Sequence, residues 1–462
     1  MNNARQVAFK VLKDVRTKDA YANLALAHRI SQAGLSGRDA AFATELTAGT
    51  LRLQGTYDRV IELASGRKLK AIDKDVLDVL RLGTHQLLNT RVAPHAAVNE
   101  TVVLTRKVGR SQAVGFVNAV MRRVSEKNLS KWHHQINKNS NSANEAKAQI
   151  YSHPEWIITA FKNALANENR EEEIIELLIA DNSPPKVSLV ALTDSSFNSL
   201  RKAGVETSLV SDSGPSPIGF ELNLGDPHKE IAKMGLAPNT VRVQDQGSQL
   251  AALVLARAKE KQAGEFWADL CAGPGGKTAV LASEAAPFEI QVHANEISKH
   301  RADLVREATT AFKDNVSIIS KDGRLQDAFK KDMYDRIMVD APCSGLGALR
   351  RRPEARWRKK ESDIQQLTIL QSELLKSAAL HTAVSGIIAY VTCSPDIRET
   401  REIVDGFLKD HRNFIELNTR EIIQTIASND LDLGDGDQLS AQLWPHRHGT
   451  DAMFISLLRR EH

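Results

Sequence analysis

The chain has 462 residues, 42% hydrophobic and 26% charged, the make-up of an ordinary soluble protein long enough for two or three domains. No apolar run approaches a membrane span and the N-terminus lacks the apolar core of a signal peptide, so a membrane protein is excluded and the cytoplasm is expected. The net charge is only +4, but through Ser130 there are 21 Lys and Arg against 11 Asp and Glu, an asymmetry that points to nucleic acid as a partner of the N-terminal part.

Residues 1–127 read as an all-α bundle. Apolar residues at helical spacing mark Ala4 to Val15, Arg38 to Leu51, Asp73 to Leu88, Ala96 to Val108 and Gly115 to Val124. Asp73 and Asp75 suit a first helical turn, and Pro94 punctuates the loop before the fourth helix. His85 and His95 read as structural or surface residues, and nothing in the bundle looks catalytic. Residues 128–150 are rich in Asn, Ser and Lys, lack periodicity and read as a linker. Residues 151–240 then form a small α+β insert: a helix at HPEWIITAFKNAL, an acidic helix from Arg170 to Ala180, a strand from Lys186 to Leu192, a helix from Phe197 to Ala203, and loops at Pro215 and Pro217.

From 241 to 462 strands and helices alternate. Strands are expected at Phe266 to Leu270, Glu289 to Ala294, Val316 to Ser320, Arg336 to Val339, Ile387 to Val391 and Ala452 to Leu457. The alternation predicts a mostly parallel, doubly wound α/β sheet, whose ligands collect at the carboxyl ends of the strands. Those ends carry Cys271 to Lys277, Glu296, Asp322, Asp340 to Gly345 and Thr392 to Pro395. Every chemically interesting residue of the region therefore falls on one rim.

The first end, Cys271-Ala272-Gly273-Pro274-Gly275-Gly276, is a turn of little side-chain bulk leading into a helix that begins near Lys277. It exposes backbone amides at the positive end of a helix. A phosphate-cradling loop needs a glycine where Cys271 stands, and a dinucleotide fingerprint needs one where Thr278 stands. A nucleoside-type cofactor remains, with Glu296 about 20 residues on to take ribose hydroxyls.

Three cysteines, at 271, 343 and 393, each follow an apolar run. The odd count argues against a disulfide framework, and no pair has zinc spacing, so no metal is expected. Thiolates are nucleophiles in an electropositive setting, which Lys277 and Arg350 to Arg352 could supply. One reaction uses all the parts. A thiolate adds to carbon-6 of a pyrimidine, carbon-5 then attacks an electrophilic methyl group, and a second thiol or base assists the departure. Asp340 could serve as the proton donor near the ring nitrogen. The basic run Arg350-Arg351-Arg352, Arg356, Arg358, Lys359 and Lys360 reads as a grip on RNA phosphates, and Trp444 to Asp451 as a structural or substrate-facing loop rather than a metal site.

The ordered segments Cys271-Ala-Gly-Pro-Gly-Gly-Lys277, Asn295-Glu296, Asp322-Gly-Arg324, Asp340-Ala-Pro-Cys343-Ser-Gly345 and Tyr390-Val-Thr-Cys393-Ser394 resemble the motifs of the RNA (cytosine-5) methyltransferases. The N-terminal part, with Ala93-Pro94-His95-Ala96-Ala97-Val98-Asn99-Glu100 and Gly115-Phe-Val-Asn118, is similar to the NusB-type RNA-binding domain that precedes the catalytic part in bacterial 16S ribosomal RNA enzymes of the Sun/Fmu type. The resemblance implies S-adenosylmethionine as cofactor, a Rossmann-like catalytic domain, ribosomal RNA as substrate and action as a monomer. It implies Cys393 as nucleophile and Cys343 in product release. Cys271, Ala272, Gly273, Pro274, Gly275, Gly276 and Lys277 would hold the methionine part, Glu296 the ribose, Asp322 the adenine edge, and Asp340 the region between cofactor and base. A DNA cytosine methyltransferase, with Cys343 as nucleophile, and a non-catalytic RNA-binding factor are the alternatives.

Overall fold

The computed structural model describes residues 3–434 and 436–462. It divides into two units. One holds the chain to Thr159 with Asp181–Ser183 and Leu349–Lys359; the other holds Ala160–Ala180, Pro184–Ala348 and Lys360–His462.

The first unit is helical. All five expected helices form, as Ala4–Lys18, Gly37–Arg52, Lys74–Asn89, Pro94–Lys107 and Val114–Ser125. Asp73 stands just outside the third of these as its N-cap, accepting from the Asp75 and Val76 amides, and Pro94 occupies the first turn of the fourth, where a missing N–H costs nothing. Two further helices, Ala22–Ala33 and Gln54–Ser65, were hidden by weak patterning: the former buries only Ala22 and Leu26. The apolar faces meet in two clusters, one around Val7, Leu46 and Val79, the other around Tyr57, Leu80 and Met121.

Residues 128–150 are not a linker. They form helices Leu129–Lys138 and Ala143–Ile150, and Trp132 and Ile136 enter the second of those clusters. Two apolar residues four apart suffice to dock a short helix whose other positions are polar. The Trp132 indole donates to the Val124 carbonyl at 3.1 Å, which fixes the docking.

The basic run also departs from expectation. Arg356 is fully buried in this unit, donating to the carbonyls of Arg52, Ser152 and Asp181 and to Asn182 Oδ1 at 2.7–3.2 Å. Arg358 donates to the Val15 and Ala20 carbonyls, and Trp357 packs on Gly55, where a Cβ would lie 2.6 Å from the ring. Arg356 therefore satisfies backbone carbonyls and cannot reach a phosphate. Arg356→Met should lower stability by about 3 kcal/mol, since several buried acceptors lose a charged donor. A fall in the denaturant midpoint with unchanged slope checks this.

The second unit contains two sheets. The smaller, antiparallel sheet is ordered β2-β3-β1-β4, from β1 (Val187–Ala191), β2 (Val210–Ser211), β3 (Gly219–Leu222) and β4 (Val241–Val243), with helix Asp194–Thr207 against it. The larger is built from β5 (Phe266–Asp269), β6 (Gln291–Asn295), β7 (Val316–Ile319), β8 (Tyr334–Asp340), β9 (Thr382–Thr392), β10 (Phe414–Glu416), β11 (Ala441–Leu443) and β12 (Met453–Arg460). Its order is β10-β12-β9-β8-β5-β6-β7, with β11 on β12. Strands β9, β8, β5, β6 and β7 are parallel; β12 runs antiparallel to β9, and β10 and β11 each pair antiparallel with β12.

Strict alternation buries both faces of this sheet. Trp267, Met338, Ala389 and Val391 point to one cluster with helix Gln246–Arg257, while Ala268, Ile337, Val339, Ile388 and Tyr390 point to the other with helix Asp363–His381. From β5 the chain runs outward through β6 and β7, then returns to β8 on the other side of β5. The sheet order thus reverses between β5 and β8, and that is where a doubly wound sheet opens its ligand crevice.

Candidate active site

The glycine turn follows β5 and enters helix Gly276–Ala285. Gly275 has φ +87, and a Cβ there would sit 2.7 Å from the Ala308 Cβ, so both its backbone and its packing require glycine. At Gly276 the nearest atom to a Cβ would be the Gln244 amide, 3.6 Å away, which leaves the backbone bare at the helix start. Asn295 ties the rim together: it donates to the Leu270 carbonyl at 3.1 Å and accepts from the Lys321 amide at 2.9 Å, joining the ends of three strands.

Each carboxylate expected at a strand end is there. Glu296, buried after β6, accepts from the Ser298 amide at 3.0 Å and lies 3.4 Å from the Arg301 guanidinium. Asp322, after β7, is gripped by Arg324, which holds its carboxyl below the usual range. Asp340, at the end of β8, accepts from Lys277 Nζ at 2.9 Å. Burial opposes the charge of Lys277, yet Asp340 outweighs it and raises the ammonium pKa.

Beneath the turn, Asp269 is fully buried and accepts from the Thr278 hydroxyl at 2.7 Å. Burial pushes its carboxyl up to about 7 against the pull of that hydrogen bond, and Asp340 adds to the rise. A raised acid stabilises the fold in its neutral form, so its contribution is whole below about pH 4 and is lost as the pH rises through about 7. Asp269→Asn should therefore gain on the wild type by roughly 4 kcal/mol between those limits. Denaturant midpoints at pH 4.5 and 8 for both proteins measure it; an unchanged difference rejects it.

The three thiols differ in their surroundings. Burial, with Asp269, Asp340 and Glu296 nearby, pushes Cys271 well up and keeps it a thiol. Cys343 and Cys393, from the ends of β8 and β9, bring their sulfurs to 3.3 Å. The hydrogen bond to Cys343 lowers Cys393 against burial and the charge of Asp340, and Lys277 helps; the same bond, with burial, raises Cys343. Of the pair, the surroundings pull Cys393 toward the anion and hold Cys343 as the thiol.

Two residues near the pair are not among the expected site residues, although Asp451 ends the segment expected as a structural or substrate-facing loop. Asp451, buried, lies close enough that its charge opposes that of Cys393, and its amide donates to Asp245 at 3.1 Å. It precedes β12, which runs antiparallel to β9, so the start of β12 lies at the end of β9, with Phe454 opposite Thr392. A search restricted to the ends of parallel strands misses it. Glu399 is the other. The segment from Trp444, expected as a structural or substrate-facing loop, is anchored at its start: the indole donates to Glu168 at 2.8 Å, and Arg447 pairs with Glu168 and Glu173. Among the described residues no group of His, Cys, Asp and Glu could hold a metal.

The family model described as 16S rRNA methyltransferase RsmB/F matches residues 256–459, and that of the NusB family matches residues 2–126. The methyltransferase Rv1407 of Mycobacterium tuberculosis is 42% identical, with 100% of this chain and 97% of the relative covered. Ribosomal RNA small subunit methyltransferase B of Pectobacterium carotovorum is 28% identical, with 99% and 98% covered. The solved structure of PH0851 has the same fold, with a TM-score of 0.76 at 20% identity, covering 100% of this chain and 99% of that one.

Proposed function

The chain belongs to the 16S rRNA methyltransferase RsmB/F family and carries a NusB family domain ahead of the catalytic part, and from that premise we propose that it methylates carbon-5 of a cytosine in 16S ribosomal RNA through a covalent Cys393 intermediate. The observation that carries the reading is the Cys343–Cys393 pair, 3.3 Å apart, with Cys393 shifted toward its anion.

The family's cofactor is S-adenosylmethionine, and the residues at the rim fit it. Bare backbone at Gly276 leaves room for the methionine part, and Cys271, Ala272, Gly273, Pro274 and Gly275 complete the turn. Glu296 and Asp322, at the ends of adjacent parallel strands, suit the ribose hydroxyls and the adenine edge. When bound, the cofactor supplies an electrophilic methyl group. Glu296→Ala and Asp322→Ala should each weaken its binding about 10-fold or more, the worth of a hydrogen bond to a charged group. Titration calorimetry reads this directly.

The chain's own groups do the rest. The Cys393 thiolate bonds to carbon-6, and the electrons of the broken double bond are drawn toward the ring nitrogen. Asp340 is assigned as the acid that passes its proton to that nitrogen, and the Lys277 ammonium, 2.9 Å away, steadies the carboxylate left behind. Carbon-5, now nucleophilic, accepts the methyl. Its proton must then leave as the bond to sulfur breaks and the ring double bond returns. The first cause of the raised Cys343 pKa is its hydrogen bond to Cys393, and that cause vanishes once Cys393 is bonded to the ring. Cys343 then gives its proton to solvent more easily and, as the thiolate, takes the one from carbon-5, so the resting thiol serves as the base of the release step.

Ribosomal RNA as substrate follows from the family and from what the small-subunit relatives are named for. The positive bias before Ser130 supports RNA contact through the NusB family domain. No described helix is long and apolar enough to cross a membrane. Work in the cytoplasm fits a ribosomal substrate, and a single chain holds every site residue, which supports action as a monomer. Tritiated methyl transfer to 16S RNA, followed by nucleoside analysis for 5-methylcytidine, tests the proposal; label in any other nucleoside overturns it.

A further inference from the structure

We propose that Glu399 is a positioning residue for the thiol pair: a buried carboxylate that holds the loop of Cys343 against the strand end of Cys393. The inference rests on the reading of that pair given above.

Glu399 lies six residues after Cys393, in the turn Ile397–Glu399, and is fully buried. Its Oε1 accepts from the Ser344 amide at 2.8 Å and from Gln371 Nε2 at 3.1 Å; its Oε2 accepts from the Ser344 hydroxyl. Gln371 Nε2 also donates to the Pro342 carbonyl at 2.9 Å. The residues on both sides of Cys343 are therefore held by one carboxylate and its amide partner. The same cluster reaches the other sulfur. Ser344 Oγ and Ser394 Oγ are 3.0 Å apart, and Ser394 follows Cys393 directly. The Tyr390 hydroxyl, from β9, donates to the Glu399 carbonyl at 2.8 Å.

Nothing about catalysis needs a charge at this depth unless the loop must be held rigidly, since a buried carboxylate is costly without several donors. Three donors satisfy it here, two of them from Ser344. The carboxylate also acts on Cys343 through space: after the hydrogen bond to Cys393 and burial, its charge is a further reason why Cys343 stays protonated. The charge is the lesser contribution and position the larger, because the shift of Cys393 toward its anion depends first on a protonated neighbour at hydrogen-bond distance.

Two substitutions separate position from charge. Glu399→Gln keeps an oxygen for the Ser344 amide and Gln371 while removing the charge; Glu399→Ala removes every contact. The full chain is alkylated with iodoacetamide across pH, without cofactor or RNA, and modification of the Cys393 peptide is followed by mass spectrometry. Glu399→Ala should move the Cys393 profile to higher pH and lower kcat about 100-fold, with cofactor affinity within about twofold of wild type, since the glycine turn is untouched. Glu399→Gln should keep the low-pH profile and recover activity to within about tenfold. Should Glu399→Ala not fold, Gln371→Leu takes its place, because it frees Pro342 and one contact of Glu399 and should shift the profile the same way.

A wild-type profile and kcat in Glu399→Ala or Gln371→Leu, or a Glu399→Gln variant as impaired as Glu399→Ala, overturns the proposal. If the wild type transfers no methyl to RNA, the functional reading falls, while the alkylation profiles still decide the role of Glu399.

Discussion

Cys393→Ala should lose methyl transfer by about 10⁴-fold or more, as nucleophile deletions do when residual activity rests on binding alone. Carbon-5 of cytosine is too weak a nucleophile to take a methyl unless carbon-6 is first saturated, and Cys393 is the sulfur whose surroundings favour the anion. Cys343 is a poor substitute: its hydrogen bond to Cys393, then burial and the charge of Glu399, raise its pKa. Removing Cys393 also removes the hydrogen-bond partner that is the first cause of that rise, so Cys343 becomes easier to ionise in the variant. It nevertheless sits at the end of β8 rather than β9, and a displacement of an ångström or so is enough to cost a large factor in rate. Cofactor binding should survive, because the glycine turn, Glu296 and Asp322 follow β5, β6 and β7 rather than β9. Single-turnover transfer of labelled methyl to RNA gives the factor, and activity within tenfold of wild type would point to Cys343 as the nucleophile.

Cys343→Ala should behave in the opposite way. Addition and methylation need only Cys393, whereas loss of the carbon-5 proton needs a base beside the adduct. With Cys343 gone, the methylated adduct forms and cannot resolve. A labelled RNA should therefore migrate with the protein on denaturing gels, with most active protein trapped after one turnover and steady-state rate reduced by about 10²–10⁴-fold, the range for loss of a general base. The wild type should show little adduct. A slow enzyme that accumulates none would remove Cys343 from the release step.

Much of this site was legible in the sequence because its chemistry sits at strand ends. An apolar run of four to seven residues followed by Gly, Asp or Cys announces both the strand and the rim, and Cys271 to Lys277, Glu296, Asp322, Asp340, Cys343 and Cys393 all fall there. What stayed hidden depends on tertiary partners. Arg356 looks like one cation among many in Arg350 to Lys360; only the carbonyls of Arg52, Ser152 and Asp181, far away in the chain, turn it into an internal tie. Trp132 and Ile136 are two apolar residues in a polar stretch, too few for periodicity, yet enough to dock Leu129–Lys138. Glu399 reads as one acid in the charged stretch Asp396 to Glu402, and its burial follows from where Ser344 and Gln371 arrive. Which of three similar thiols carries the charge is likewise a matter of neighbours within a few ångströms, which no spacing rule conveys.

The most direct test replaces the target cytosine with 5-fluorocytosine. Fluorine at carbon-5 cannot leave as a proton does, so the covalent complex is trapped in the unaltered enzyme. Peptide mapping of that complex by mass spectrometry should place the RNA remnant on Cys393; a remnant on Cys343, or no covalent complex under conditions where ordinary RNA is methylated, would contradict the mechanism.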